Sequence, residues 1–171
     1  DLRYTPEQAT ELVLGAVAPL GAEYVATLRD GLSSGWTDWM PTVGKQSGAY
    51  SEAVYGVHPY QLLNFTGLYA EVSTLAHESG HSMHSWLSDR RQPYATREYK
   101  TFVAEVASTL NENLLLHYML GRTTDRDTRL FLLGSRLDDM RQTLFRQVLF
   151  GEFELKINEM AERGEPLTGE K

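Results

Sequence analysis

The sequence predicts a predominantly α-helical α+β fold, with a small antiparallel sheet packed beside one special helix. Three observations point there. Apolar residues recur at helical spacing over most of the 171 residues. Residues 36–66 break that pattern with aromatic and β-branched residues interspersed with Gly and Pro. Directly after them, a helical stretch carries His77-Glu78-Ser79-Gly80-His81. In a helix, residues four apart share a face, about 5.4 Å apart along the axis.

Thr5-Pro6-Glu7-Gln8 starts the first helix with a capping hydroxyl, proline at the first helical position and an acidic first turn. Leu12, Val13, Ala16, Val17, Leu20, Val25 and Leu28 form its apolar stripe, and it is expected to end near Gly31. Pro19 and Gly21 should kink it near the middle. Strands are predicted near 48–55 and 59–65, joined by the turn signal Tyr55-Gly56-Val57-His58-Pro59. The motif helix is predicted from Gly67 or Leu68 to about Ser88, packing through Leu68, Val72, Leu75, Ala76, Met83 and Leu87. A further helix, near 96–120, has the apolar set Phe102, Val103, Val106, Leu110, Leu114 and Met119, with Gly121 closing it. Interleaved on it, Glu105, Ser108, Thr109 and Glu112 make one polar stripe. Small Ala104 and Ala107 beside that stripe allow another helix to approach. The last helix should run from Thr124 to about Arg163, with a stripe of Leu130, Leu133, Leu137, Met140, Leu144, Val148 and Phe153, and possible kinks at Gly134 and Gly151.

The bulk properties bound the function. The length fits a single domain over residues 1–171 with a sizeable core. A formal charge of −7 argues against a nucleic-acid partner held through phosphate contacts. There are no cysteines, so neither a disulfide framework nor a thiolate metal site is available. No apolar run approaches a membrane span, and there is no secretory leader pattern. A soluble, cytoplasmic protein without a membrane partner is expected; nothing in the sequence specifies an oligomeric state. The chain opens on Asp1 rather than Met and reads as part of something longer.

His77 and His81 can direct two imidazole nitrogens at one ion. Glu78 lies next along the helix, about 100° round, within reach of a water on that ion. That is the arrangement metal-assisted peptide hydrolysis uses, and zinc in such sites takes a third protein ligand. A third histidine ten residues after the first, with Gly three before it, would fall at Leu87 and His84, so that pattern is excluded. His84 shares the helix stripe but lies about 10 Å along the axis from His77. A carboxylate from the next helix is the better answer. Glu105 is the strongest candidate. Glu98 and Glu112 compete, although Glu98 suits the helix dipole and Glu112 could instead orient a ligand imidazole.

Several ordered motifs then carry a resemblance. They are Gly44-Lys45-Gln46-Ser47-Gly48-Ala49-Tyr50-Ser51, His58-Pro59-Tyr60-Gln61-Leu62-Leu63-Asn64-Phe65, Leu75 through Ser85, Gln92-Pro93-Tyr94, Phe102 through Thr109, and Asn111-Glu112. Together they resemble the oligoendopeptidase F branch of the M3 metallopeptidases, over about residues 44–112. The resemblance implies a zincin-like (gluzincin) core and one zinc ion on His77, His81 and Glu105. It implies Glu78 as general base in an endopeptidase acting on short peptides. The chain departs from the family at Ser79, where a larger residue is common. The resemblance also implies His and Tyr residues beyond Lys171 that bind substrate and stabilise the oxyanion. The chain is therefore expected to be a catalytic-core fragment. The alternative is a folded zinc-binding fragment with little or no turnover. An edge strand at 48–55 could pair with a peptide backbone, with Gly48 and Ala49 allowing close approach and Tyr50 as a substrate contact.

Overall fold

In a computed structural model of the chain, residues 2–169 are described. They form two compact units, divided between Thr124 and Asp125.

The first unit contains the sheet and four helices. Helix α1 (Pro6–Ala16) starts at the predicted cap: Gln8 N–H donates to Thr5 Oγ1, and the Thr5 N–H donates to Gln8 Oε1. The kink expected at Pro19 and Gly21 is a full break. A 3₁₀ turn (Ala18–Leu20) separates α1 from α2 (Ala22–Ser33), because proline lacks the N–H that a continuous helix needs and Gly21 sits at φ 105°.

Three short strands follow: β1 (Thr37–Asp38), β2 (Tyr50–Ala53) and β3 (Pro59–Leu62). The order is β1-β3-β2. The β2–β3 pair is antiparallel, as predicted, with Ser51 opposite Gln61. The sheet is nevertheless mixed: β1 adds to β3 in parallel, with Thr37 level with Gln61. The sequence concealed β1 because two residues are too few to show an alternating pattern. The turn closing β2–β3 is held by Val57 N–H to Val54 C=O, with Gly56 at φ 79° where other residues would be strained. Gly48 and Ala49 fall just ahead of β2, not inside it.

Helix α3 (Tyr69–Arg91) carries the motif. Its cap position is Leu68, which has no capping side chain, so Glu71 supplies the acceptors. Glu71 Oε2 accepts from the N–H groups of Thr66 and Leu68, and Oε1 accepts from the Thr66 hydroxyl. Helix α4 (Thr101–Arg122) packs along α3, and α1 packs on both. The core comprises Ala9, Val13, Leu14, Val17 and Leu28 from α1 and its neighbours, Val72, Leu75, Ala76 and Met83 from α3, and Leu115 from α4. Leu68 and Leu87, expected in the packing, are exposed. On α4 the predicted apolar set is largely outward: Phe102, Val103, Val106 and Leu110 are exposed, whereas Ser108 and Asn111 are buried. The polar stripe has taken the helix–helix interface, which turns the apolar stripe away from it.

The second unit holds α5 (Arg126–Met140), a π-helical segment (Arg141–Arg146) and α6 (Gln147–Glu162), which succeed one another without a break. Asp125 caps α5 through Thr128 N–H. The helices continue through Gly134 and Gly151, where kinks were possible, and the change of helix type lies at 141–146. The predicted stripe is exposed, and Leu132 is the buried position. One continuous helical run cannot bury a stripe against itself. Among the described residues no helix is long and apolar enough to cross a membrane.

Candidate active site

Helices α3 and α4 meet closely because Gly80 has no side chain. A Cβ at Gly80 would stand 2.6 Å from Ser108 Cα and 2.7 Å from the Ala107 carbonyl oxygen. Asn111, buried in the interface, donates to the Ala76 carbonyl and to Tyr24 Oη. The backbone just ahead of His77 is thus tied to both α4 and α2.

This crossing brings His77, His81 and Glu105 together. Nε2 of His77 and Nε2 of His81 are 3.1 Å apart, and Glu105 Oε2 is 3.3 Å from the first and 3.5 Å from the second. Among the described residues these three offer ligand atoms all within 4.8 Å of one another. Three corners of a tetrahedral zinc site with bonds of roughly 2.0–2.1 Å are about 3.3–3.4 Å apart, so the donor set fits. Ser108 Oγ donates to Glu105 Oε2 at 2.7 Å and steadies the carboxylate.

The other acidic candidates divide. Glu112 lies 2.6 Å from His77 Nδ1, on the far side of the ring from Glu105. Its acceptance of an Nδ1–H leaves the Nε2 lone pair of His77 facing the cluster. Glu98 lies outside the cluster, 3.8 Å from the Arg97 guanidinium. His84 also stands apart. Its ring stacks on Tyr99 at 3.7 Å between centroids, and its Nδ1 is buried without a partner.

Glu78 is 6% exposed, and its Oε2 is buried with no hydrogen-bond partner. An unpartnered buried carboxylate oxygen is costly, and such groups mark functional positions. Burial pushes the Glu78 carboxyl above its ordinary range; the His77 charge opposes this, and Glu105 and Glu112 add to it. For His77, burial alone would lower the pKa. The Glu112 hydrogen bond and charge, with Glu78 and Glu105, outweigh burial and raise it. His81 is lowered by burial and then by the neighbouring His77 charge, with Glu105 opposing.

The sheet is docked on the motif helix by groups that the sequence did not single out. Gln61 Nε2 donates to Ser82 Oγ at 2.8 Å, Ser82 Oγ is 2.7 Å from Ser51 Oγ, and Thr37 Oγ1 donates to Gln61 Oε1 at 3.0 Å. The available signal was a glutamine at an inward position of a strand. Gly48 and Ala49 line a cavity of about 210 Å³ with Leu63, Asn64, Phe65, Glu71 and Thr74. Asn64 Nδ2 fixes this segment by donating to the carbonyls of Gln46 and Gly48. Tyr50 opens β2 and is half-exposed.

A histidine pair on one helix, a carboxylate from the next and a buried glutamate beside them define a candidate hydrolytic centre. Residues 3–171 match the model of peptidase family M3, and the chain belongs to that family. It is 45% identical over 169 residues to oligopeptidase PepF of Bacillus subtilis, covering 99% of this chain and 25% of that protein. It is 42% identical over 166 residues to an oligoendopeptidase F homolog of Borreliella burgdorferi, covering 96% and 28%. A crystal structure provisionally assigned as a peptidase from Chlamydophila abortus superposes with a TM-score of 0.81 at 47% identity, over 98% of this chain and 28% of that one. The chain therefore spans about a quarter of the length of the relatives it matches.

Proposed function

We propose that this chain is the catalytic core of a zinc-dependent endopeptidase of the oligoendopeptidase F type, acting on short peptides in the cytoplasm. His77, His81 and Glu105 would hold one zinc ion in a zincin-like (gluzincin) arrangement, and residues 1–171 would form one catalytic domain. The unbroken family match and the names of the bacterial relatives support this reading. The observation that carries it is the triangle of donor atoms at 3.1, 3.3 and 3.5 Å, with the unpartnered Glu78 carboxylate beside it.

Zinc bound there would supply Lewis-acid polarisation of a water and of the scissile carbonyl. Glu78 takes the proton from the attacking water and returns it to the leaving amine. In the metal-free chain burial raises its pKa, and the charge of a bound zinc ion would oppose that rise. Glu112 keeps His77 in the tautomer that ligates through Nε2. Outer strand β2 offers main-chain groups to an extended peptide, and Ser82, where β2 touches α3, lies one helical turn beyond Glu78. Gly48 and Ala49 admit the peptide backbone, and Tyr50 contacts it.

Elemental analysis for zinc, combined with cleavage of a quenched fluorescent peptide, tests this. Wild type and Glu78→Gln should both hold near-stoichiometric zinc, and Glu78→Gln should lose cleavage. A wild type without zinc after metal-replete purification overturns the site. Zinc without any cleavage makes this chain a zinc-binding structural fragment instead.

A further inference from the structure

We infer that Gln61 is a positioning residue: its buried amide sets the distance between outer strand β2 and the face of α3 that carries Glu78, and hence the alignment of a bound peptide with the general base. This rests on the peptidase reading above. Gln61 occupies an inward position of β3 and is 2% exposed. Such a position ordinarily holds an apolar side chain, which would pack without needing partners. Here the amide has partners at both ends. Its oxygen accepts from Thr37 on β1, and its nitrogen donates to Ser82 at 2.8 Å and, at 3.5 Å, to Ser79, both fully buried. Ser82 in turn meets Ser51 of β2 at 2.7 Å. Ser82 thus takes up the Gln61 amide and Ser51 together, and this network joins all three strands to the motif helix.

Geometry makes the link relevant to chemistry. Ser79 follows Glu78 directly, and Ser82 is four residues on, so Ser82 shares the Glu78 face of α3. A satisfied buried network fixes separations more tightly than apolar contact, because each bond tolerates only a narrow range of distance and angle. Positioning is what such precision serves, since misplacement by about 1 Å can cost about a hundredfold in rate.

The experiment uses this chain with Gln61→Met, which keeps the volume but removes the amide, and with Ser51→Ala, which cuts only the β2 link. Zinc content should match wild type in both. In Gln61→Met, kcat should fall on the order of tenfold with KM within about threefold, because the contacts that bind peptide remain while its alignment is lost. Amide exchange over residues 50–53 should quicken on the order of tenfold while that of α3 holds. Ser51→Ala should move both readouts the same way by less, and the double variant should lose less than the product of the two single losses. Wild-type kcat and wild-type β2 exchange in folded Gln61→Met would reduce Gln61 to a core residue and overturn the inference. If Gln61→Met does not fold, unchanged kcat and exchange in Ser51→Ala overturn it equally. If wild type itself cleaves nothing, the peptidase reading fails, and β2 exchange alone decides whether Gln61 holds the strand.

Discussion

Gly80 of α3 lies directly against the backbone of Ser108 on α4: a Cβ at Gly80 would be 2.6 Å from Ser108 Cα and 2.7 Å from its nitrogen. Backbone atoms cannot rotate aside as a flexible side chain could. The separation of the two helices, and with it the distance from the histidine pair to Glu105, is set by a residue with no side chain. Gly80→Ala is therefore expected to push α4 outward, to destabilise the fold by about 1–3 kcal/mol, and to weaken zinc more than ten-fold. Thermal unfolding and a chelator competition measure the two effects. Wild-type zinc affinity in this variant would show that the helix contact does not govern the site.

Loss of a ligand and loss of a neighbour should separate cleanly. Glu105→Ala removes a donor 3.3 Å from His77 Nε2, whereas His84→Ala removes a ring stacked on Tyr99. Zinc affinity should fall in Glu105→Ala well beyond the roughly 10–100-fold typical of an outer partner, and stay close to wild type in His84→Ala. The opposite order would sink the ligand set.

Glu112→Gln retains shape but weakens the acceptor at His77 Nδ1. Zinc affinity should drop by roughly 10–100-fold while secondary structure is unchanged. Isothermal titration with zinc at fixed pH provides the measurement, and an unaltered affinity would assign Glu112 to the scaffold alone.

Acid dependence of stability should show at Glu71. Its burial favours the neutral acid, but hydrogen bonds from the Thr66 hydroxyl and from the N–H groups of Leu68, Thr66 and Gly67 outweigh that and lower its pKa. A carboxyl depressed in the folded state contributes stability above its unfolded pKa and loses it as pH falls through the folded value. Glu71→Gln should cost about 1 kcal/mol at neutral pH. The gap to wild type should close below the ordinary glutamate value of about 4.3. Denaturant midpoints across pH test this; a gap independent of pH would mean that the charge contributes nothing.

The opposite shift should appear at Glu78 in the metal-free chain. Burial raises the Glu78 carboxyl in the metal-free chain, so its titration there, followed by carboxyl NMR, should lie above the ordinary carboxylate range, and zinc should move it down because the ion's charge favours the carboxylate. A metal-free Glu78 that titrates at or below about 4.3 would show that burial does not govern it.

Legibility in the sequence followed the range of the interactions. The caps at Thr5 and Pro6, the motif helix and the β2–β3 turn are local and were readable as residue patterns. The stripe of Glu105, Ser108 and Glu112 was visible too, because a polar face with small neighbours stands out at helical spacing. Strand β1 was not visible, since its two residues become a strand only by pairing with β3 from more than twenty residues away. Nor was the exposure of Phe102 and Val106, which depends on which face of α4 meets α3. The Gln61 network joins residues 37, 51, 61 and 82 through tertiary contact, and no spacing rule links them.

The 3.1 Å approach of the two Nε2 atoms has a further consequence. Two lone pairs that close repel, so without a metal one ring must point an N–H at the other, either as the Nε2–H tautomer of His81 or through an extra proton on the pair. When the pair takes up an extra proton, the raised His77 and lowered His81 pKa values favour His77 as its holder. On the proposed reading, zinc uptake by the chain with His77 protonated would be a cation exchange, releasing that proton to solvent for each ion taken up. Apparent affinity should change by about tenfold per pH unit while the proton is held. Mild acid would thus discharge the metal from a chain that is still folded, and neutralisation with zinc would recharge it.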